Sequence, residues 1–140
     1  MGAAFAKGVI SSGVLQPDQI SIADVDESRL QHLARDLRIR VVTDNAACAK
    51  EADVVLLAVK PPLVSKVAQQ LAEVLTTDQL VISIAAGVGL DKIEAALPDG
   101  VGVIRAMPNT PCQVGAGAIG FSLGKSVTKG QAAVAKKIFD

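Results

Sequence analysis

The sequence predicts an α/β protein of the doubly wound class with a mostly parallel sheet. Two observations favour this class. Short apolar segments of strand length alternate with segments of helical periodicity along the 140 residues, and the segment at residues 54–59 is apolar throughout. An uninterrupted apolar run is typical of a strand that is buried on both faces of a parallel sheet, whose strands are joined through helices.

Local patterns predict the individual elements. Residues 26–37 form a helix because apolar residues recur at helical spacing from Leu30 onward, and Asp26 precedes them as an N-cap. Thr128 and Gln131 have the spacing of a capping box at the start of the last helix. The predicted helices span residues 2–12, 26–37, 46–52, 63–75, 91–97 and 128–139, and the predicted strands span 20–23, 39–42, 54–59, 80–85, 101–106 and, punctuated by glycine, 114–123.

The composition excludes several classes of function. Fourteen basic residues balance fourteen acidic ones, so no net charge attracts nucleic acid or an anionic membrane. Without Trp or Tyr, an aromatic platform for bases is not expected. Two cysteines and one histidine, His32, make neither a disulfide framework nor a metal site. We therefore expect a soluble, cytoplasmic protein that binds no metal, nucleic acid or membrane.

The chain begins with a helix where a doubly wound protein normally begins with a strand. In the usual Rossmann strand order, 3-2-1-4-5-6, the first strand is central. A sheet without it has unpaired backbone groups on the two strands that would flank it. The sequence therefore predicts a Rossmann-type sheet that lacks its first strand.

Three loops follow predicted strands and contain proline or glycine. They lie at residues 58–61, 83–87 and 107–111. Because parallel strands end at the same edge of the sheet, where open α/β sheets bind ligands, the three loops are expected to line one crevice.

Five motifs in this order resemble the dinucleotide-binding domain of pyrroline-5-carboxylate reductase. They are Met-Gly-Ala-Ala-Phe-Ala-Lys-Gly at residues 1–8, Asp-Asn at 44–45, Ala-Val-Lys-Pro at 58–61, Ser-Ile-Ala-Ala-Gly at 83–87 and Met-Pro-Asn-Thr-Pro at 107–111. The resemblance implies an enzyme of proline biosynthesis, in which NAD(P)H reduces the C=N bond of 1-pyrroline-5-carboxylate to give L-proline.

The chain departs from the family pattern at both ends. Family members begin with a strand and a Gly-x-Gly-Asn-Met-Gly loop, of which Gly2 corresponds to the third glycine. They continue into a C-terminal helical domain that forms the dimer and carries the expected proton donor. The resemblance thus implies an incomplete dinucleotide-binding domain at residues 1–124 and, at 125–140, a helix leading toward that second domain. We assign no catalytic residue in this chain and expect a homo-oligomer for the complete enzyme.

Asp24 is the candidate for recognising the adenosine ribose. It lies at the end of a predicted strand, 22 residues after Gly2, where an acid commonly binds the ribose hydroxyls. Asp24 and Asp26 flank Val25, and two carboxylates would repel the 2′-phosphate of NADP, which carries about two negative charges. The sequence therefore predicts a preference for NADH, which Arg29, one helical turn further on, could reverse.

The remaining site residues are carried over from the resemblance. Asn45 is either near the adenosine or an ordinary helix N-cap, and the sequence favours neither. Small residues after the fourth predicted strand would let the backbone approach the nicotinamide, and a proline-bounded turn would border nicotinamide and substrate. The cofactor-binding set is Gly2, Asp24, Asn45, Ala58, Val59, Lys60, Pro61, Ala85, Ala86 and Gly87, and the substrate-proximal pair is Asn109 and Thr110.

Two other interpretations remain open. The chain is either part of another Rossmann-type NAD(P)-dependent reductase, such as a hydroxyacid or deazaflavin-dependent enzyme, or a non-catalytic nucleotide-binding remnant. The literal Gly-x-Gly-x-x-Gly match at residues 115–120 supports neither, because it does not open a helix and no acid follows at the right distance. It is expected to be a strand of small residues.

Overall fold

A computed structural model describes residues 1–109 and 118–140. In the described residues helices alternate with strands as far as β5, as the sequence predicts. The helices are α1 (Gly2–Ser11), α2 (Glu27–Leu37), α3 (Asn45–Lys50), α4 (Val64–Leu71), α5 (Leu90–Ala95) and α6 (Lys129–Phe139), and the strands are β1 (Ser21–Ala23), β2 (Arg40–Val42), β3 (Val54–Leu57), β4 (Leu80–Ser83), β5 (Gly102–Pro108) and β6 (Ile119–Leu123).

The strands form two sheets. The larger sheet has the order β3-β4-β5-β6, in which β3, β4 and β5 are parallel and β6 is antiparallel to β5. The smaller sheet is the parallel pair β1-β2. The prediction of a mostly parallel, doubly wound sheet is confirmed.

The two sheets are separate at the position that the first strand of a Rossmann sheet normally fills. Among the described residues no strand joins β1 to β3, so the edges of both strands that face this position are unpaired. The prediction that residues 54–59 are buried on both faces is wrong for most of this segment. Val54, Val55 and Leu56 are half-buried, because β3 has a neighbouring strand on one side only, and Leu57 alone of the strand is buried.

The core lies on both faces of β4, whose four residues are all buried. One face packs against α3, α4 and α5 through residues such as Ala49, Leu71 and Ile93. The other face packs against α6 through Ala135, with Phe139 at its margin. The Phe139 ring also lies edge-on to the Phe5 ring of α1, with centroids 5.5 Å apart.

Helix boundaries follow side-chain caps and prolines. Asp26 accepts a hydrogen bond from the Arg29 backbone at 3.0 Å, and Thr128 and Gln131 form the reciprocal capping box, so both predicted caps are confirmed. The predicted helix at residues 63–75 is shorter than expected. Because Pro61 and Pro62 lack backbone N–H groups, the segment opens as a 3₁₀ turn, and α4 itself ends at Leu71.

Gln79 ties the start of β4 to α3 and α6. Its side chain is buried, and its amide nitrogen donates to the backbone oxygens of Ala49 and Ala52 at 2.8 and 2.6 Å. Its amide oxygen accepts from the Thr76 backbone at 2.9 Å. The Gln79 backbone oxygen in turn accepts from the Gln131 side chain at 3.3 Å. This buried amide therefore fixes α3, which contacts both strands of the smaller sheet, against the start of β4.

No helix in residues 1–109 or 118–140 has the length and hydropathy needed to cross a membrane. The same residues contain no group of three or more His, Cys, Asp or Glu side chains that could hold a metal ion.

Replacing Gln79 with alanine is expected to lower the free energy of unfolding by about 2 kcal/mol, because buried backbone groups lose their partners. Urea denaturation followed by circular dichroism measures this change. Gln69→Ala, on the exposed side of α4, is the matched control and should change stability by less than about 0.5 kcal/mol. Equal midpoints for the two variants would contradict the role given to Gln79.

Candidate cofactor-binding site

Three parallel strands run in register toward one edge of the larger sheet. Leu57 of β3 is paired with Ser83 of β4, and Ser83 is paired with Arg105 of β5. The Ile84 backbone nitrogen donates to the Leu57 oxygen at 3.2 Å, so the alignment continues one residue past β4. All three strands end at this edge, as the sequence predicted, but β5 continues for three residues past the level at which β3 and β4 end, to Pro108.

The N-terminus of α1 lies against the first residue after β3. A Cβ atom built on Gly2 would be 3.2 Å from the Ala58 Cβ atom, so the helix approaches the strand closely because Gly2 has no side chain. The first turn of α1 contains no acidic residue, and Met1 makes no side-chain cap. Backbone N–H groups at such a helix end attract anions such as phosphates.

The segment after β3 exposes small and basic side chains. Ala58, Lys60 and Pro61 are exposed, and Val59 is half-buried. Pro61 begins the 3₁₀ turn, and the Lys60 oxygen accepts from the Leu63 backbone at 2.9 Å. This turn fixes the backbone of the loop beside the α1 N-terminus.

The segment after β4 is a tight turn of small residues. Ala85 is buried and its backbone nitrogen lies 3.4 Å from the Ser83 hydroxyl oxygen, to which it donates. Ala86 and Gly87 are exposed, and Gly87 has φ of +72°, in the left-handed region. The turn therefore presents backbone, and almost no side chain, at the edge of the sheet.

Asp24 follows β1 and is held by local contacts. One carboxylate oxygen accepts from the Asp26 backbone at 3.0 Å, and the other lies 3.3 Å from an Arg29 guanidinium nitrogen. Val25, between the two acids, is 93% exposed. Asp24 and Asp26 carry two negative charges at this turn, and Arg29 carries one positive charge. The net charge of the three side chains is therefore negative.

The structure corrects one of the two interpretations of Asn45. Asp44, not Asn45, caps α3, since its carboxylate accepts from the Ala47 backbone at 2.7 Å. The carboxylate is the charged acceptor at the end of the helix and so takes the cap position. The Asn45 side chain donates instead to Gln70 of α4 at 3.0 Å. Its role at the adenosine stays a prediction.

Asn109, which follows β5, is hydrogen-bonded to Ala118, which precedes β6. Its side-chain oxygen accepts from the Ala118 backbone at 3.1 Å, and its backbone nitrogen donates to the Ala118 oxygen at 3.4 Å. Thr110, the other residue predicted to lie near the substrate, is outside the described residues, as are Cys112 and the first half of the Gly-x-Gly-x-x-Gly match. Gly120, at the end of that match, lies in β6 opposite Met107.

Sequence reasoning missed Arg105 at this edge. Its side chain is half-buried, and its Nε atom is buried without a hydrogen-bond acceptor among the residues that the structure describes. The signal in the sequence was a single cation within the apolar run of β5. A shallow depression lined by Glu94, Asp99 and Lys125 lies elsewhere, near the opposite end of β5, and does not belong to this edge.

Cys48 of α3 lies beside the ion pair of Arg40 and Glu51. The hydrogen-bonded Glu51 carboxylate raises the pKa of Arg40. Burial raises the pKa of the Cys48 thiol, and the Arg40 charge offsets part of that effect. The thiol is therefore a weak nucleophile at neutral pH, consistent with a packing role.

The fold, the close approach of Gly2 to Ala58 and the backbone-lined strand ends define a dinucleotide-binding domain of the Rossmann type. Residues 1–87 match the family model described as NADP oxidoreductase coenzyme F420-dependent. The chain belongs to this family. The matched region ends at Gly87 and so leaves out the Met-Pro-Asn-Thr-Pro motif.

Beyond the family model, the chain is similar to pyrroline-5-carboxylate reductase. It is 43% identical to that enzyme from Methanosarcina acetivorans over 99% of this chain and 52% of the relative. The structure of the Coxiella burnetii enzyme superimposes with a TM-score of 0.93 at 35% identity, over 99% of this chain and 51% of the other. The chain spans about half the length of the relatives it matches.

A third likeness shows the fold alone. The structure titled Plasmodium falciparum pyrroline carboxylate reductase with NADP bound superimposes with a TM-score of 0.87 at 24% identity, over 99% of this chain and 50% of that one. The Rossmann-type assignment is thus supported by structures whose sequences have diverged widely.

Gly87→Ala is expected to lower the free energy of unfolding by about 1–2 kcal/mol, because a Cβ atom disfavours the left-handed conformation. No atom lies within 4 Å of the added carbon, so backbone strain alone causes the loss. Gly8→Ala is the matched control. Gly8 lies inside α1 with equally open space, and alanine there should raise stability by about 0.5–1 kcal/mol. Urea denaturation that gives both changes the same sign would contradict this account.

Alkylation of Cys48 in a Cys112→Ser background is expected to have its pH midpoint above the value of about 8.5 for a free cysteine. The folded protein retains the thiol proton to higher pH than the unfolded chain. The contribution of the thiol to the free energy of unfolding is therefore fully present at pH values below its pKa in the unfolded chain. It is lost as the pH rises through its pKa in the folded protein. Iodoacetamide rates between pH 7 and 10 measure the midpoint, and a value at or below that of a free cysteine would contradict it.

Proposed function

We propose that this chain is the nucleotide-binding part of a pyrroline-5-carboxylate reductase, which reduces 1-pyrroline-5-carboxylate to L-proline with NAD(P)H. The observation that carries the proposal is the alignment with the Methanosarcina acetivorans enzyme over 99% of the chain. That alignment extends well beyond the residues matched by the more general family model, which end at Gly87.

The residues at the edge of the larger sheet fit a bound dinucleotide. The close approach of Gly2 to Ala58 brings the α1 N-terminus to the end of β3, where its N–H groups would hold the pyrophosphate. The exposed backbone of Ala86 and Gly87 would face the nicotinamide half. The predicted cofactor-binding set therefore remains our proposal, with Val59, Lys60 and Pro61 forming the loop between these two regions and Ala85 anchoring the second.

The reduced nicotinamide would supply the hydride when bound, and the protein would supply position and electrostatics. The small residues after β4 would leave room for a flat cyclic imine beside the nicotinamide. Asn109, which follows β5, accepts from the Ala118 backbone and would border the substrate end of the site. The ring nitrogen also needs a proton, and we assign no donor in this chain.

We propose a preference for NADH. The support is the turn at Asp24 and Asp26, where Arg29 offsets only one of two carboxylates. A 2′-phosphate at this turn would meet a net negative charge. The family description names NADP, so this preference would be a property of this chain's turn rather than of the family.

The wider assignments extend this proposal. Residues 1–124 would form the incomplete dinucleotide-binding domain, and 125–140 would lead into a helical dimerisation domain, with a homo-oligomer as the complete enzyme. The free thiol of Cys48 is consistent with the reducing cytoplasm as the compartment.

A second candidate is a domain that folds without catalysing the reaction. The observation that favours it is the unpaired edge of β3 beside the proposed cofactor site. The first strand of a Rossmann sheet and its glycine loop normally contribute to pyrophosphate binding. A domain without them would bind the nucleotide less tightly.

Titration of the purified chain with NADH and NADPH, followed by nicotinamide fluorescence, separates these candidates. We expect saturable binding, with NADH bound about tenfold more tightly because of the charge at Asp24 and Asp26. Asp24→Ser should remove most of this difference. Asp36→Ser, at an exposed acid further along α2, is the control and should leave it unchanged.

Two outcomes would count against these proposals. Tenfold tighter binding of NADPH would overturn the cofactor preference while leaving the reductase assignment standing. A folded chain, verified by circular dichroism, that binds neither nucleotide would favour the non-catalytic candidate.

A further inference from the structure

Two polar side chains are buried in the part of the chain that the structure describes, and they lie at opposite ends of β4. Gln79 precedes the strand and is 7% exposed, whereas Ser83 ends the strand and is 0% exposed. The other three residues of β4 are Leu, Val and Ile, which have no polar side-chain group to bury. A hydroxyl among them is unfavourable unless it is hydrogen-bonded. The partner of the Ser83 hydroxyl therefore indicates its role.

The two buried side chains have partners of different kinds. The Gln79 amide joins separate elements, since it donates to the backbone oxygens of Ala49 and Ala52 at the end of α3. The Ser83 hydroxyl oxygen accepts from the Ala85 backbone at 3.4 Å, only two residues further along the chain. Gln79 thus connects helix to sheet, and Ser83 acts within its own turn.

The strands on either side of Ser83 do not use its hydroxyl. Leu57 of β3 and Arg105 of β5 are paired with Ser83, so the three side chains leave the sheet on one face. Leu57 is apolar, and the Arg105 Nε atom has no hydrogen-bond partner among the described residues. One Arg105 guanidinium nitrogen lies 3.2 Å from the Met107 sulfur instead. In the described part of the chain, the Ser83 hydroxyl therefore does not hold β4 to its neighbours.

The Ser83 hydroxyl fixes the first residue of the turn that follows Ile84. Ala85, whose N–H group donates to it, and Val88 are each 4% exposed. The two residues between them, Ala86 and Gly87, are exposed. The turn is thus anchored at both ends, and one methyl group is the only side chain of its exposed part.

The exposed part of this turn lies where the nicotinamide half of the cofactor is proposed to bind. The nicotinamide carboxamide has an oxygen that accepts hydrogen bonds and an NH₂ group that donates two. Backbone N–H and C=O groups can pair with both, provided that the turn keeps its shape. A turn that is already fixed binds its ligand with a smaller loss of conformational entropy.

We propose that Ser83 is a positioning residue for the nicotinamide. Its hydroxyl fixes the turn after β4, so that the exposed backbone of Ala86 and Gly87 meets the nicotinamide half of the cofactor. This inference rests on the proposed function and adds to it the residue that shapes the nicotinamide end. The pyrophosphate and the adenosine would be held by other elements, at Gly2 of α1 and at Asp24 after β1, and so would not depend on Ser83.

Two ligands separate the nicotinamide end from the rest of the cofactor. NADH and ADP-ribose share the adenosine and the pyrophosphate, but ADP-ribose has no nicotinamide. Calorimetric titration of the 140-residue chain measures the dissociation constant of each, and NADH should bind more tightly. Ser83→Ala should weaken NADH binding about fivefold, because the turn loses one hydrogen bond, and should leave ADP-ribose binding within about twofold of the wild type.

A second variant separates the hydrogen bond from the volume of the side chain. Ser83→Cys fills the site, but sulfur is a weak acceptor, so this variant should weaken NADH binding as Ser83→Ala does. Ser122→Ala is the matched control, because Ser122 is paired with Arg105 at the same level of the sheet and is exposed. It should change neither dissociation constant. In ¹⁵N NMR spectra, hydrogen exchange at the Ala85 amide should be faster in both Ser83 variants and unchanged in the control.

The difference between the two ligands decides between positioning and general stabilisation. Equal weakening of NADH and ADP-ribose in Ser83→Ala would show that Ser83 stabilises the whole domain, and the proposal would be wrong. Unaltered exchange at the Ala85 amide, or wild-type NADH affinity in Ser83→Cys, would also overturn it. The same holds if the wild-type chain binds NADH no more tightly than ADP-ribose.

The proposal fails separately from the function on which it rests. If the wild-type chain binds both ligands and Ser83→Ala binds them equally well, the cofactor assignment stands and the Ser83 assignment is wrong. If the folded wild-type chain binds neither ligand, the nucleotide-binding assignment is wrong, and the Ser83 assignment is wrong with it.

Discussion

The burial of β4 on both faces is the constraint on which the rest of the structure depends. Its four residues are all buried, so helices must cover the sheet on both sides. Parallel neighbours require crossovers through those helices, and the crossovers place the ends of β3, β4 and β5 at one edge. The candidate site lies at this edge because the segments that follow the three strands all leave the sheet there.

The two sheets are held together by side chains rather than by a shared strand. Gln79 connects the start of β4 to two carbonyls at the end of α3, and Asn45 at the other end of α3 is bonded to Gln70 of α4. α3 in turn contacts both strands of the smaller sheet. These contacts position Asp24 relative to the larger sheet across a gap in which, within residues 1–109 and 118–140, no strand pairs with the facing edge of β1 or of β3.

The candidate site is built mainly from backbone, with charged side chains at its two ends. Gly2, Ala58 and the turn at Ala85 to Gly87 allow a ligand to approach the main chain closely. Asp24 lies at the end proposed for the adenosine, and Arg105 lies near the end of β5 at the same edge of the sheet.

Local patterns in the sequence determined the order of helices and strands, the caps at Asp26 and Thr128 and the parallel class of the sheet, because each depends on residues a few positions apart. The sequence did not determine that β3 is half-buried or that Asp44 rather than Asn45 caps α3. The bonds of Gln79 to Ala49, Ala52 and Gln131, which join residues 27 to 52 positions apart, and the burial of the Arg105 Nε atom were likewise decided only by the tertiary structure. Burial and hydrogen-bond partners depend on which distant segments of the chain come into contact, and local sequence patterns do not show those contacts.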